Sequence, residues 1–310
     1  MVKVAVAGGS GGIGRAIFDS IEESRLHDAF ILSRTPSDDP KVIEVDYSDI
    51  KKLRETLEAH QIHTVISTLS IKDDESGQAQ MNLIEASVQC QHTKRFMPSE
   101  FGAKYDEEAI RIFPSYIWKF KAVDRLKETD LEYTQFSNSM FMDLWFAPRI
   151  KSAFTYNMPC WVDLENDVAA IPGDGNTPMV ATHSRDIAPF VAATLGLDVW
   201  EKRYYLTGDR FTINEFVAIA EEVKGVEFEK HYESMEVLDR GEGIVLPAIK
   251  AMLPPGVDST LILGQIARAG KMVAQGRMDL PQDTGSINAV FPEMKTLTLR
   301  EAIQTYYDNK

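Results

Sequence analysis

The chain has 310 residues, enough for two average domains or one large α/β domain with an elaboration, and 44% hydrophobic content supplies a full core. Its 47 acidic and 33 basic residues leave a formal charge of −14 with no basic block, so a phosphate backbone would be repelled and nucleic acid is excluded as an expected partner. Only Cys90 and Cys160 are present, seventy residues apart, which builds neither a disulfide framework nor a Cys-x-x-Cys metal pair; a reducing, cytoplasmic setting without a metal is expected.

The first apolar run, Val2 to Ala7, is too short for a signal segment or a membrane span, and no membrane association is expected. It reads instead as a buried parallel strand running straight into Gly8-Gly9-Ser10-Gly11-Gly12-Ile13-Gly14. Two dinucleotide-binding spacings are satisfied together: Gly9-x-Gly11-x-x-Gly14 and Gly8-x-x-Gly11-x-x-Gly14. Glycine is required because a Cβ would keep the backbone from a pyrophosphate, and because the third glycine lets helix and strand pack closely. Ile13, Ile17 and Ile21 then give a helix whose positive N-terminus points at the phosphates. Gly8, Ser10, Gly11, Gly12 and Ile13 are accordingly the expected cofactor loop.

The second strand, Phe30 to Ser33, ends at Arg34, where a carboxylate would select NAD. A guanidinium suits a 2′-phosphate, so NADPH is the expected cofactor. The alternative is a solvated arginine opening a polar loop beside Asp38 and Asp39. Further strand-like runs are Val42–Val45, Thr64–Leu69, Arg95–Met97, Tyr133–Phe136 and Tyr204–Leu206. Thr68 and Leu69, at the carboxyl end of their run, join the expected cofactor set. A helix over Gln80 to Cys90 is expected to turn Leu83, Ile84 and Val88 inward. Strands alternating with helices predict an α/β fold, a Rossmann-type doubly wound parallel sheet with right-handed crossovers.

The segment PSYIWKFKAVDRLK, from Pro114 to Lys127, predicts a helix with Tyr116, Phe120, Val123 and Leu126 on one stripe. Lys119 falls roughly 45° from the centre of that stripe, inside the buried sector, while Lys121 points the opposite way. A lysine there is ordinarily a snorkeller, with a packed stem and a wet ammonium. Boxes at Thr212-x-x-Glu215 and Thr298-x-x-Glu301 open later helices, the first ending near Gly225. The stretches 146–182 and 226–297 are richer in Pro, Gly and Met and poorer in period. A dinucleotide domain over 1–145, to which 183–224 returns, is therefore expected beside an interwoven substrate-binding lobe of 146–182 and 225–310.

Arg95-Phe96-Met97-Pro98-Ser99-Glu100-Phe101-Gly102 resembles the hallmark string of the isoflavone reductase-like and NmrA-like family of atypical short-chain dehydrogenases. Over most of the chain the likeness continues through the glycine run, Arg34, Gln80 with Ala86, the Tyr133-Thr134 pair, Phe141-Met142-Asp143, Pro172 to Gly175 and Phe291-Pro292-Glu293. In the reductases of this family the catalytic lysine stands fourteen residues before the tyrosine of the Tyr-Thr pair, and counting back from Tyr133 gives Lys119. At this helix the Tyr-x-x-x-Lys pair of ordinary short-chain dehydrogenases is not formed, since Phe120 stands four residues after Tyr116.

The resemblance implies an NADPH-dependent reductase of a small aromatic or conjugated molecule, with Lys119 as general acid or charge stabiliser and as a contact to the cofactor. Trp118 and Phe120 are expected to keep water from its ammonium and lower its pKa. Ser99 either orients substrate or caps the bend that follows it; Met140, Phe141 and Trp161 are candidate walls of an apolar pocket, although phenylalanine and methionine are more often plain core; His183 is expected to be structural. Two other classes stay open: an NADP(H)-sensing regulator of the NmrA type that turns nothing over, and a non-redox isomerase or cyclase. Neither the substrate nor the oligomeric state is legible.

Overall fold

The computed structural model describes residues 1–103, 105–253 and 258–309. The chain divides into two compact units, Met1–Ser137 with Ser184–Leu206 and Gln282–Met294, and Asn138–His183 with Thr207–Pro281 and Lys295–Lys310. Of the expected second lobe, 254–257 and Lys310 lie outside the described residues.

This division differs from the expected one at three places, each for a pairing reason. Residues 138–145 and 207–224 belong to the second unit, where Met140–Phe141 pairs with Met179–Thr182 and that strand pairs with Asp209–Phe211. Only 184–206 returns to the first unit. It brings 282–294 with it, since Tyr205 bridges to Ser286 and its N–H donates to the Gly285 carbonyl at 2.8 Å.

The first unit runs β1 (Lys3–Ala7), α1 (Gly12–Ser24), β2 (Asp28–Ser33), β3 (Val42–Glu44), α2 (Ile50–Ala59), β4 (Thr64–Ser67), α3 (Asp74–Gln89), β5 (Arg95–Met97), α4 (Glu107–Ile112), α5 (Ile117–Lys127), β6 (Glu132–Tyr133) and β7 (Gln135–Ser137). β1 to β6 form one parallel sheet in the order β3-β2-β1-β4-β5-β6. Val4 to Ala7 are fully buried, which is why β1 reads as a continuous apolar run rather than an alternating one. On the sheet, Leu53, Leu57, Leu83, Ile84, Ala122 and Leu126 of α2, α3 and α5 share a core with Ala5, Val65 and Phe96. α1, whose Ile17 and Ile21 are fully buried, packs along the helix Ser184–Thr194. The result is the doubly wound Rossmann-type sheet, with its strand order reversing between β1 and β4.

Two local readings change. Tyr133–Phe136 is not one strand: it breaks at Thr134, and while β6 pairs with β5, β7 pairs with Arg203–Tyr205. α3 starts at Asp74, capped by the Asp73 carboxylate accepting from the Ser76 N–H, and in that register Ser87 is buried while Val88 is 37% exposed.

In the second unit, Val168–Pro172 lies between Glu229–Glu233 and Val162–Asp163 in a three-stranded sheet. Trp145 anchors its core, packing edge-on against Phe216 with ring centroids 5.2 Å apart. Both capping boxes form, at Thr212/Glu215 and Thr298/Glu301, and the first helix ends at Gly225 with φ 75°, a left-handed conformation that glycine adopts without strain. No described helix is long and apolar enough to cross a membrane.

Candidate active site

At the reversal point the chain turns from β1 into α1 through Gly8, with φ 81°, and Gly12, with φ 53°. The third glycine of the fingerprint is a packing device: a Cβ on Gly14 would fall 2.2 Å from Thr68 Oγ1 and 2.5 Å from the Gly8 carbonyl oxygen. Thr68 is the strut between the strands, its hydroxyl donating to the Ala7 carbonyl at 2.7 Å. Gly11 is different. A Cβ there would meet nothing within 4 Å, so it faces open space, and as the N-cap of α1 it adds no side-chain hydrogen bond. Nor is there an acidic residue in the first turn, which leaves the helix N-terminus to an anion. Ser10 beside it is exposed and Ile13 half-buried.

Arg34 and Leu69 border one cavity of about 570 Å³ together with Tyr47, Ser70, Lys72 and Asn82. Among the described residues no carboxylate pairs with Arg34; Asp39 instead accepts from the Lys41 N–H at 2.9 Å. The guanidinium at the end of β2 is thus uncommitted.

Ser99, just past β5, is committed. Its hydroxyl donates to the Leu69 carbonyl and its N–H to Gln80 Oε1, both at 2.8 Å, so it ties the ends of β4 and β5 to α3. The hydroxyl thus reaches back to the end of β4 rather than capping the bend that follows it. Gln80 is fully buried, and among the described residues its Nε2 has no hydrogen-bond partner.

Lys119 lies on the buried face of α5 with Ala122, Val123 and Leu126, and is 9% exposed. Its Nζ donates to the Tyr105 hydroxyl at 2.7 Å and stands 4.5 Å from the Tyr105 ring centroid and 5.5 Å from that of Tyr116. The aromatics expected to shield it are therefore half wrong. Phe120 lines a cavity together with Lys119, but Trp118 turns away onto α3, where a Cβ on Gly77 would fall 2.2 Å from its Cγ, and its indole donates to Asp74. Lys121 is exposed, with Nζ 3.9 Å from the Trp118 ring centroid.

Tyr105 leads onward: its hydroxyl donates to the Glu100 carbonyl at 3.2 Å. The Glu100 side chain is 1% exposed, accepts from Gln135 Nε2 at 3.1 Å and lies 3.8 Å from Arg203 Nη1. These groups and Lys119 border a cavity of about 410 Å³. Burial pulls the Lys119 ammonium below the ordinary lysine range, and the negative charge of Glu100 opposes that pull. The Glu100 carboxyl and the Tyr105 phenol are both pushed up, again chiefly by burial. Pattern reading missed Tyr105, Gln135 and Arg203 and passed over Glu100, whose signal was its place in the Pro98–Gly102 string.

The candidate pocket walls fall in the second unit. Met140 and Phe141 are half-buried in a strand, Phe141 packing edge-on against Phe154 at 5.0 Å. Trp161 is corrected: it is fully buried, with φ 63°, beside a cavity of about 10 Å³, so it is core and no wall for a substrate. His183 is 3% exposed with Nε2 3.4 Å from Asp143 Oδ1. Among the described residues no group of three or more His, Cys, Asp or Glu could hold a metal ion.

The family model described as the NmrA-like family matches residues 2–254. An oxidoreductase of Botryotinia fuckeliana (strain B05.10), BOA1, is 39% identical over 231 residues, covering 73% of this chain and 77% of that relative. A bifunctional pinoresinol-lariciresinol reductase of Linum usitatissimum is 23% identical over 98% of both chains. Among solved structures, the binary complex of leucoanthocyanidin reductase with NADPH from Vitis vinifera superposes with a TM-score of 0.74 at 20% identity, over 98% of this chain and 99% of that one, which is a likeness of fold. The chain belongs to the NmrA-like family.

Proposed function

We propose that the protein is an NADPH-dependent oxidoreductase that reduces a small aromatic or conjugated molecule, with Lys119 as the proton donor or charge stabiliser at the reacting centre. The single observation that carries the reading is the ammonium of Lys119, 9% exposed at the edge of a 410 Å³ cavity and hydrogen-bonded to a neutral phenol, with no carboxylate within 4 Å among the described residues. A buried charge in that state is costly to keep as packing alone. Relatives named as oxidoreductases and reductases support the same class.

The loop fits the cofactor. Gly11 opens onto free space at an uncapped helix N-terminus, which suits a pyrophosphate, and the uncommitted Arg34 beside a 570 Å³ cavity suits a 2′-phosphate. When bound, NADPH supplies the hydride. Reduction of an electron-poor carbon drives charge onto a substrate oxygen or nitrogen, and Lys119 neutralises or protonates that atom. Because burial weakens its hold on the proton, Lys119 is a better donor near neutral pH than a lysine in water.

Nicotinamide absorbance followed against enones, quinone-methide precursors and aromatic ketones tests the reading. Turnover with at least one of these classes is the expected result. Tight NADPH binding without oxidation across the panel would point to a cofactor-sensing regulator, and rearranged product with intact cofactor to an isomerase or cyclase; either would contradict the proposal.

A further inference from the structure

Around Lys119 the structure assembles more than one lysine needs. Three stretches far apart in sequence converge there: the connection from β5 to α4 with Glu100 and Tyr105, β7 with Gln135, and the strand Arg203–Tyr205 with Arg203. Glu100 is the unusual member. Its side chain is 1% exposed, yet among the described residues Oε1 accepts no hydrogen bond, Oε2 accepts one from Gln135, and Arg203 is at 3.8 Å, beyond a direct hydrogen bond. An orphaned acceptor on a buried carboxyl is rare in a packed interior, because neither desolvation nor hydrogen bonding favours it there. Its main chain is tied to the lysine all the same: the Tyr105 hydroxyl donates to the Glu100 carbonyl and accepts from Lys119 Nζ.

We infer that Glu100 is a positioning residue for Lys119: its carboxylate is the counter-charge that keeps the buried ammonium protonated, while Tyr105 fixes where that ammonium points. The inference deepens the reading of Lys119 as proton donor and takes its functional meaning from it. The charges facing Lys119 all bear on the sign. Glu100, from the β5 side, favours the ammonium, and so does Tyr116 from the turn ahead of α5; Arg203 opposes it, and burial opposes it most. Further along the cavity, Lys127 is paired with Asp124 at 2.8 Å, and exposed Lys202 sits over the Tyr133 ring. Removing the Glu100 charge must therefore let the proton leave Lys119 at lower pH, and removing the Arg203 charge must hold it to higher pH.

The test needs neither substrate nor turnover. Lysine labelled with carbon-13 at Cε is titrated by NMR in the whole protein, with the Lys119 signal identified by its loss in Lys119→Arg. Glu100→Gln should lower the titration midpoint by about one pH unit or more, the usual reach of a nearby opposite charge. Glu100→Asp should fall between Gln and wild type, and Arg203→Gln should move the midpoint up. A merely structural glutamate would not give shifts of opposite sign from the two sites. An unmoved or raised midpoint in folded Glu100→Gln overturns the inference; if that variant does not fold, an unmoved or lowered midpoint in Arg203→Gln overturns it instead. Loss of the reductase reading would show in the turnover assay and leave this titration standing, so the two failures are distinguishable.

Discussion

The glycine loop and the lysine cluster lie in the same unit but are built on opposite logics. The loop is made of what is missing: no Cβ at Gly14, so that α1 closes onto Thr68 and Gly8, and no Cβ at Gly11, so that space stays open at the helix end. The cluster is made of what is added: the Lys119 ammonium, the Glu100 carboxyl, the Arg203 guanidinium and the Tyr105 phenol border one cavity, in an interior that ordinarily excludes such groups. Backbone sites fail when atoms are inserted, whereas charged sites fail when a single charge is deleted, and the variants below separate the two.

The largest effect is expected at the ammonium. Lys119→Ala should lower kcat by about 10²- to 10⁴-fold, the span usual for a general acid, with a much smaller change in NADPH affinity. Lys119→Arg should rescue it poorly, since a guanidinium keeps its proton near neutral pH. At the loop, Gly11→Val should weaken NADPH by about a hundredfold or more while the far-UV circular dichroism stays native, because its side chain enters open space rather than core. Gly14→Ala breaks the same loop by another route, its Cβ falling on Thr68 and Gly8, and should lower stability by about 1–3 kcal/mol in thermal unfolding.

Arg34→Ala comes next. A charge-assisted contact of about 1.5–3 kcal/mol with the 2′-phosphate predicts a ten- to hundredfold loss of NADPH affinity by calorimetry and almost none for NADH. Equal losses for both would remove the cofactor assignment. Lys121→Ala should be the mildest, changing kcat by less than about threefold, because the removed charge is exposed and rests on Trp118.

The same contrast explains what could be read in advance. The glycine turn at Gly8 to Gly14, the place of Arg34 at the end of β2 and the buried face of α5 that carries Lys119 were legible because each depends on local spacing: a turn, a strand end, one helix face. Tyr105, Gln135 and Arg203 were not, because nothing periodic links them to Lys119 and only the folded chain brings them together. Trp161 was misread for a related reason, since a large apolar side chain looks the same in sequence whether it lines a pocket or fills a core. The Tyr133–Phe136 run failed at Thr134, where β6 and β7 take different partners, a choice fixed by strands distant in sequence.

The central claim is that hydride leaves the cofactor for a substrate carbon while Lys119 handles the accompanying charge. The most direct measurement uses NADPH deuterated at both C4 positions with any compound that supports turnover, and reads the product by mass spectrometry. The account predicts a product one deuterium heavier than that formed with unlabelled NADPH, produced by wild type and nearly lost with Lys119→Ala. Product that carries no deuterium, or undiminished labelled product from Lys119→Ala, would contradict it.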